Sequence, residues 1–313
     1  MAFNQDVKAL IPHRGLLSPD YLLRVLQAMG PDVIRDGVKK GATVHSLRSG
    51  LLEGLRIPLP PLPEQRRIAA MLTEQMAAVN KARAAVQAQL EAARALTGAY
   101  LREVFESEEA KRWPQRYLAD LGEVVAGVTL GRRLEGKITH QVPYLRVANV
   151  KDGHLDLNEV FDTEATETEI KKLQLAKWDL VLTEGGDLDK LGRGTLWRDE
   201  LPECIHQNHI FRVRFTFPEL SPEFAALQIG STYGKAYFLR HAKQTTGIAT
   251  INQKVLGAFP MMIPPLGQQR EIIALFNHRS EAIHRLCWEL EHGLQAIDAL
   301  PAALLSDALQ GGH

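Results

Sequence analysis

One segment of the chain occurs twice. "IPLPPLPEQRRIAAML" (57–72) returns in worn form as "MIPPLGQQREIIALF" (262–276), displaced by 204 residues. At that displacement Ile68 meets Ile272, Leu72 meets Phe276, Val79 meets Ile283 and Val86 meets Leu290. Leu90 then meets Leu294, Leu96 meets Leu300, and Pro61, Leu62 and Gln65 meet Pro265, Leu266 and Gln269, with no gap. The shared positions are separated by 3, 4 or 7 residues or sums of these, which keeps them on one helix face. Sustained over about five heptads, that pattern predicts a coiled coil. The first helix is expected over 63–106, roughly 65 Å at 1.5 Å per residue. The second is expected over 268–309, with Pro301 kinking or briefly interrupting it. Alanine is dense over 69–99, which favours helix and lets two helices approach closely. Each stripe could instead pack on its own globular domain. Against that, the two share length and register, so each is the other's natural partner in an antiparallel pair. The prolines hold the incoming chain extended, and Pro63 stands where a helix can begin.

The repeat extends upstream. "NQDVKAL" (4–10) aligns with "QNHIFRV" (207–213), and "LSPDYL" (17–22) with "LSPEFA" (220–225), both at a displacement of 203. "KKGAT" (39–43) resembles "QTTGIAT" (244–250) after a small shift. The order is therefore end of a domain, helix, whole domain, helix: residues 1–56, 57–112, 113–260 and 261–313. The class is α+β, with an irregular sheet in 113–260 and two long helices in an antiparallel coiled coil. Residues 1–56 are expected to pack on the helices without completing a domain.

Within 113–260, residues 113–127 read as a short strand or turn entering the Gly-containing loop "AGVTLGRR". "QVPYLRVANV" (141–150) reads as a strand, and "KDGHLDLNEV" as a turn and second strand. "TETEIKKLQL" (166–175) is a short helix whose Thr166 and Glu169 have capping-box spacing. "KWDLVLTEGGDLDKLGRGTLW" is strand, Gly-rich loop, strand; "HQNHIFRVRFT" is a strand; "SPEFAALQIGSTYGKAYFLRHA" is one or two helices.

No apolar run is long enough to cross a membrane, residues 1–10 lack a signal-peptide core, and Cys204 and Cys287 form no CxxC pair. These point to free thiols and a cytoplasmic location. Lys plus Arg equals Asp plus Glu at 37 each, and residues 113–260 hold 18 against 19. A polyanion partner would thus need locally clustered cations. "TEGGDLDKLGRG" (183–194) is not a Walker loop, because no Ser or Thr follows a Gly-Lys pair. It is either a solvated hairpin loop or a cation-tipped loop that presents Lys190 and Arg193 to phosphates or base edges. "KQTTGIATIN" (243–252) is either a helix end with a turn or a donor- and acceptor-rich contact. "GVTLGRR" (127–133) pairs a flexible turn with two arginines able to read guanine. His206 and His209, three apart in a strand, point to opposite faces, which favours a polar cluster supporting the neighbouring loop over a metal pair. No NPP[FY] methyltransferase motif, PD-(D/E)xK nuclease array or Walker motif is present.

The Pro-rich entry "PLPPLPEQRRIA", duplicated after a second domain, resembles the specificity subunit of type I restriction–modification enzymes. "YLRVANVKDGHLDL", "LTEGGDLDKLGRG", "IHQNHIFRVR", "LSPEF" and "AKQTTGIATIN" resemble one subclass of its target-recognition domains. The resemblance implies a non-catalytic DNA-recognition subunit without cofactor or metal. In that family two target-recognition domains read the halves of a bipartite site, and paired conserved-region helices space them. Double-stranded DNA, modification subunits and a restriction subunit are the implied partners. Against the family pattern, residues 1–56 are expected to be the C-terminal remnant of a first target-recognition domain truncated at its N-terminus. The alternative is a half-subunit or remnant that acts as a coiled-coil scaffold or homodimer without bipartite specificity. The expected DNA contacts are Thr129, Arg132, Arg133, Lys190, Arg193, Lys243, Gln244, Thr245 and Thr246. Arg146 and Asn149 are read as supports of the sheet.

Overall fold

A computed structural model describes residues 9–39, 46–47, 54–186, 191–245 and 248–310. The chain is α+β and divides into two compact units, Met1–Arg94 with His284–His313, and Ala95–Ile283. Residues 4–8 of the expected upstream repeat lie outside the described residues.

In the first unit, α1 (Pro19–Gly37) leads into an antiparallel pair, β1 (Val38–Lys39) with β2 (Ser46–Leu47). The long helix α2 (Leu62–Phe105) follows, and the last helix of the chain, α7 (Leu266–Gln310), contributes its C-terminal part. Tyr21 and Val25 of α1 are buried against Ile68, Ala69 and Leu72 of α2 and Leu305 of α7. Arg83 meets Asp298 at 2.6 Å and Arg94 meets Glu291 at 2.7 Å, so rising numbers on α2 pair with falling numbers on α7. The two helices are antiparallel here.

Hydrogen bonds anchor the proline segment to both neighbouring helices. Its prolines lack N–H groups and so leave no backbone donors to satisfy. The Pro58 carbonyl accepts from Tyr21 Oη (3.2 Å) and the Pro60 carbonyl from Gln65 Nε2 (2.8 Å). The Pro61 carbonyl accepts the first helical N–H groups, those of Glu64 and Gln65, at 2.9 and 3.0 Å. Gln65 is fully buried. Its Nε2 also donates to Leu16 O (3.0 Å), and its Oε1 accepts from Ser18 N (2.8 Å), the residue before α1. One amide thus ties the start of α1 to the start of α2.

The second unit repeats this joint. Gln269, also fully buried, donates to Pro264 O and Glu219 O, both at 2.8 Å, and accepts from Ser221 N at 2.8 Å. Ser221 is the N-cap of α4 (Pro222–Gly230), followed by α5 (Thr232–His241). The corresponding atoms are 203 or 204 residues apart, as the sequence repeat requires. In this unit too the chain directions are opposed: Tyr100 stacks on Phe276 at 6.4 Å, and Glu109, further on, accepts from Gln268 at 2.5 Å.

The remaining strands are β3 (Gln115–Tyr117), β4 (Gly122–Ala126), β5 (His140–Leu145), β6 (Phe161–Ala165), β7 (Leu180–Thr183), β8 (Gly185–Gly186), β9 (Gly194–Leu196), β10 (Ile205–His206), β11 (Ile210–Phe215), β12 (Lys243–Thr245), β13 (Ile248–Thr250) and β14 (Pro260–Met262). The central sheet has the order β4-β11-β7-β9, all antiparallel. Beside it lie β10-β5-β6, β12-β13-β8 and β14-β3. Alternation along β11 sets the two faces of the central sheet. Phe211 and Val213 enter a core with Leu180, Leu182, Phe224, Phe238 and Phe259. Arg212 and Arg214, on the other face, hold the C-terminal end of α3 (Glu167–Leu173). Arg212 donates to Lys172 O (3.0 Å) and Gln174 O (3.2 Å), and Arg214 donates to Gln174 O (3.0 Å) and to both oxygens of buried Asp179.

Several expectations need correction. Leu96 and Leu300 are 49% and 43% exposed and lie off the helix seam. The less exposed positions are buried Leu90 and Ala93 with half-buried Thr97 on α2, and half-buried Leu294, Ile297 and Pro301 on α7, so Thr97 and Pro301 stand one residue away from those leucines. Helix α7 runs through Pro301 without interruption. Proline removes only one helical hydrogen bond, and Leu304, Leu305 and Ala308 beyond it are held by the core of the first unit. "KDGHLDLNEV" forms no strand. Buried Asn149 donates to the carbonyls of Asp156 (2.8 Å) and Glu159 (2.9 Å), so this stretch bonds to a side chain, and the strand lies later, at β6. "QVPYLRVANV" is strand only to Leu145, after which Val147–Asn149 form a 3₁₀ turn. The capping box at Thr166 and Glu169 is present in both directions.

Candidate nucleic-acid interface

One edge of the central sheet gathers the loops. β4 ends at Ala126 opposite Phe211, β7 ends at Thr183 opposite Ile210, and β9 begins at Gly194 opposite Leu182. The segments after Ala126, before Ile210 and between Thr183 and Gly194 therefore leave from the same edge. The β12–β13 pair is tied to it through β8, with Gly185 opposite Thr250 and Gly186 opposite Ala249, and by Ile251 N donating to Glu184 O at 2.8 Å. Further main-chain bonds knit the edge: Val128 N to His206 O (2.8 Å), Asn208 N to Val128 O (2.9 Å) and Glu184 N to His209 O (2.9 Å).

Gly127 makes the closest approach. A Cβ there would stand 1.9 Å from His206 O and 2.5 Å from Gln207 O, both backbone atoms that cannot swing aside. Gly127→Ala is expected to destabilise the second unit by about 2–3 kcal/mol, the cost of overpacking against fixed backbone. Urea unfolding of the variant beside the parent measures it.

The expected contact residues divide into three groups. Lys190 and Thr246 lie outside the described residues. Arg132 is committed internally. Its guanidinium donates to Glu169 (2.6 and 2.9 Å), Glu164 O (2.8 Å) and Thr129 O (3.1 Å), and its side chain is 18% exposed. These bonds, with those of the Thr166 cap, hold the Glu169 carboxyl at about 2, far below the usual carboxylate value. Arg132 is a positioning residue that pins the loop base.

The third group lies on or beside the loop edge. Thr129 and Arg133 are exposed on the loop after β4, and the Arg133 side chain has no hydrogen bond or ion pair among the described residues. Lys243 and Gln244 are exposed on β12; Gln244 donates to Leu239 O at 3.3 Å, while Lys243 has no described partner. Thr245 pairs with Ile248 across β12–β13. Arg193 is half-buried. Its carbonyl accepts from Thr183 N at 2.8 Å, and its Nε is buried without a partner.

The same edge also presents Gln207 and Asn208, half-buried amides in the turn between β10 and β11 whose side chains make no hydrogen bond among the described residues. Their signal in the sequence was the amide pair inside "HQNH". The flanking histidines separate. His206 is fully buried with Nδ1 on Ile210 O (3.0 Å), and burial pushes its pKa down to about 4. His209 is exposed and meets Glu184 at 2.6 Å, supporting the start of the Gly-rich loop. Among the described residues no group of His, Cys, Asp and Glu could hold a metal ion. Burial pushes the Cys204 thiol up to about 12. Arg146 lies 3.9 Å from the Phe161 ring centroid and bonds Glu159, consistent with a supporting role.

The class these features define is an α+β domain that displays a composite polar loop edge and is joined to long antiparallel helices. Residues 1–92 match the family model of the type I restriction modification DNA specificity domain. The EcoKI specificity subunit of Escherichia coli K12 is 24% identical over 284 residues, covering 87% of this chain and 60% of that protein. The StySPI specificity subunit of Salmonella potsdam is 21% identical over 321 residues, covering 99% and 68%. The chain thus spans about 60% of the length of the EcoKI relative. Two solved structures share the fold at 19% identity. One is the HsdS subunit of Thermoanaerobacter tengcongensis, with a TM-score of 0.57 over 96% of this chain and 72% of that one. The other comes from a study of assembly and conformational transition in a type I R-M system, with a TM-score of 0.74 over 95% and 72%. The chain is thus similar to type I restriction–modification specificity subunits in sequence, and to two solved structures of that system in fold.

Proposed function

We propose that the chain recognises a specific sequence in double-stranded DNA and directs the catalytic subunits of a type I restriction–modification complex to it. Residues 113–260 act as the target-recognition domain. Residues 57–112 and 261–313 are the conserved-region helices, which set spacing and dock modification subunits. Residues 1–56 belong to a first recognition domain. The chain supplies no catalytic group or cofactor; methyl transfer and cleavage belong to its modification and restriction partners in the cytoplasm. The carrying observation is the single edge on which Arg133, Arg193, Lys243, Gln244, Gln207 and Asn208 converge with their side chains uncommitted or only lightly bonded.

Cations without internal partners at such an edge suit phosphate oxygens, and amides suit base edges. Lys243→Ala in the assembled complex is expected to weaken DNA binding and to reduce the slope of log affinity against log salt by about one. Fluorescence anisotropy at several salt concentrations reads both. An unchanged slope and affinity would remove Lys243 from the interface.

A further inference from the structure

The loop from Gly127 to Thr139 carries a feature that cation and amide contacts leave unexplained. Ile138 is 84% exposed and Leu130 41% exposed, although the domain has ample core in which to bury apolar side chains. Single exposed apolar residues are ordinary on protein surfaces. Here two stand on one loop, among Arg133, Glu135 and Lys137, all exposed or at the loop tip. The loop is also held in shape. The forked contacts of Arg132 fasten it to α3 and β6, Val128 pairs with the β10–β11 turn, and Lys137 N closes a turn onto Leu134 O at 3.1 Å. Gly131 and Gly136 have φ of +70° and +74°, the left-handed values that let the chain reverse twice within a few residues. The result is a braced loop with two exposed apolar side chains and two uncommitted cations on the same short segment.

We infer that this loop is a DNA wedge: Ile138, the most exposed apolar side chain on it, inserts at a base-pair step of the target duplex, while Arg133 and Lys137 neutralise the flanking phosphates. This rests on the DNA-recognition reading above and adds a mode of readout to it. Apolar side chains of this type partially unstack a step and kink the duplex. The ease of unstacking depends on the step's sequence, so the wedge contributes specificity without a hydrogen bond to any base. The adjacent cations favour a nucleic acid over an apolar protein surface as the occupant. The bracing by Arg132 means that little ordering cost is left to meet on binding.

The test uses the full chain assembled with its modification subunits and a duplex bearing its own methylation motif. 2-Aminopurine is placed in turn at each step of the half-site, and a matched duplex carries uracil for thymine. For the parent complex, fluorescence is expected to rise at one step. Ile138→Ser is expected to abolish that rise and to lower specific affinity about tenfold, with the salt slope unchanged because no phosphate contact is lost. Arg133→Ala is expected to do the converse: the fluorescence rise persists and the slope falls by about one. A parent complex that binds specifically with no fluorescence rise at any step overturns the wedge and leaves the recognition reading standing. So does an Ile138→Ser complex with parental affinity and fluorescence. Loss of affinity on uracil substitution without any fluorescence rise would assign Ile138 to a thymine methyl and likewise overturn it. A parent complex with no preference for any duplex sinks both readings.

Discussion

Replacing Gln269 by leucine is expected to cost about 3–5 kcal/mol of stability, a large effect for a change that conserves approximate size. The fully buried amide satisfies Ser221 N, Glu219 O and Pro264 O. Leucine gains about 1–2 kcal/mol of apolar burial, but it strands one donor and two acceptors at about 1–3 kcal/mol each. The polar loss wins. Gln65→Leu is expected to match it in the first unit, since the partners Ser18 N, Leu16 O and Pro60 O correspond one for one. Urea unfolding gives the magnitude. Hydrogen exchange gives the location: protection at Ser221 is expected to fall in one variant and at Ser18 in the other. Parental stability in both variants would contradict the joint described above.

Acid is expected to weaken the second unit in two stages. His206 is neutral and fully buried, with its pKa moved from 6.5 to about 4 chiefly by burial. A folded-state value below the unfolded one means the unfolded chain binds the proton first. The stabilising contribution is complete above about pH 6.5 and is lost as pH falls toward 4, amounting to about 3 kcal/mol over that range. Glu169 acts by the same sign at lower pH: its contribution is complete above 4.5 and disappears toward 2 as the carboxylate that Arg132 holds is protonated. Its effect is smaller, because the pair is partly open to solvent. Unfolding free energy measured between pH 7.5 and 4 checks the first stage. His206→Gln is expected to flatten the slope across that window whatever its effect at neutral pH. A parental slope retained in the variant would assign the acid sensitivity elsewhere.

The long helices were legible because their signal is local and redundant. A 3.6-residue period repeated over many turns survives errors such as placing Leu96 and Leu300 on the seam. The capping box at Thr166 and Glu169 was legible for the same reason, being complete within four residues. The repeat brought Gln65 and Gln269 to the same place, but their importance was hidden. A glutamine reads as a surface residue until its three backbone partners, two of them about 50 residues away, are known.

Strand assignments failed where one side chain replaced the ladder. Asn149 takes the carbonyls that would have extended a strand through "KDGHLDLNEV", and β6 ("FDTEA"), with a single buried residue at its end, offers no apolar alternation. The candidate interface was half legible. Composition picked out the loops that carry Arg133, Arg193 and Lys243. Their convergence depends on β8, two glycines that carry no strand signal, pairing with residues more than sixty positions away. The commitment of Arg132 to Glu169 depends likewise on a fold contact across 37 residues.

The most direct measurement co-expresses the chain with its modification subunit and maps methylated bases across the host genome. The account predicts methylation confined to one defined motif, and a changed or relaxed half of that motif when Arg133, Arg193 and Lys243 are replaced together by alanine. Methylation at no defined motif, or a motif indifferent to that triple substitution, would contradict it.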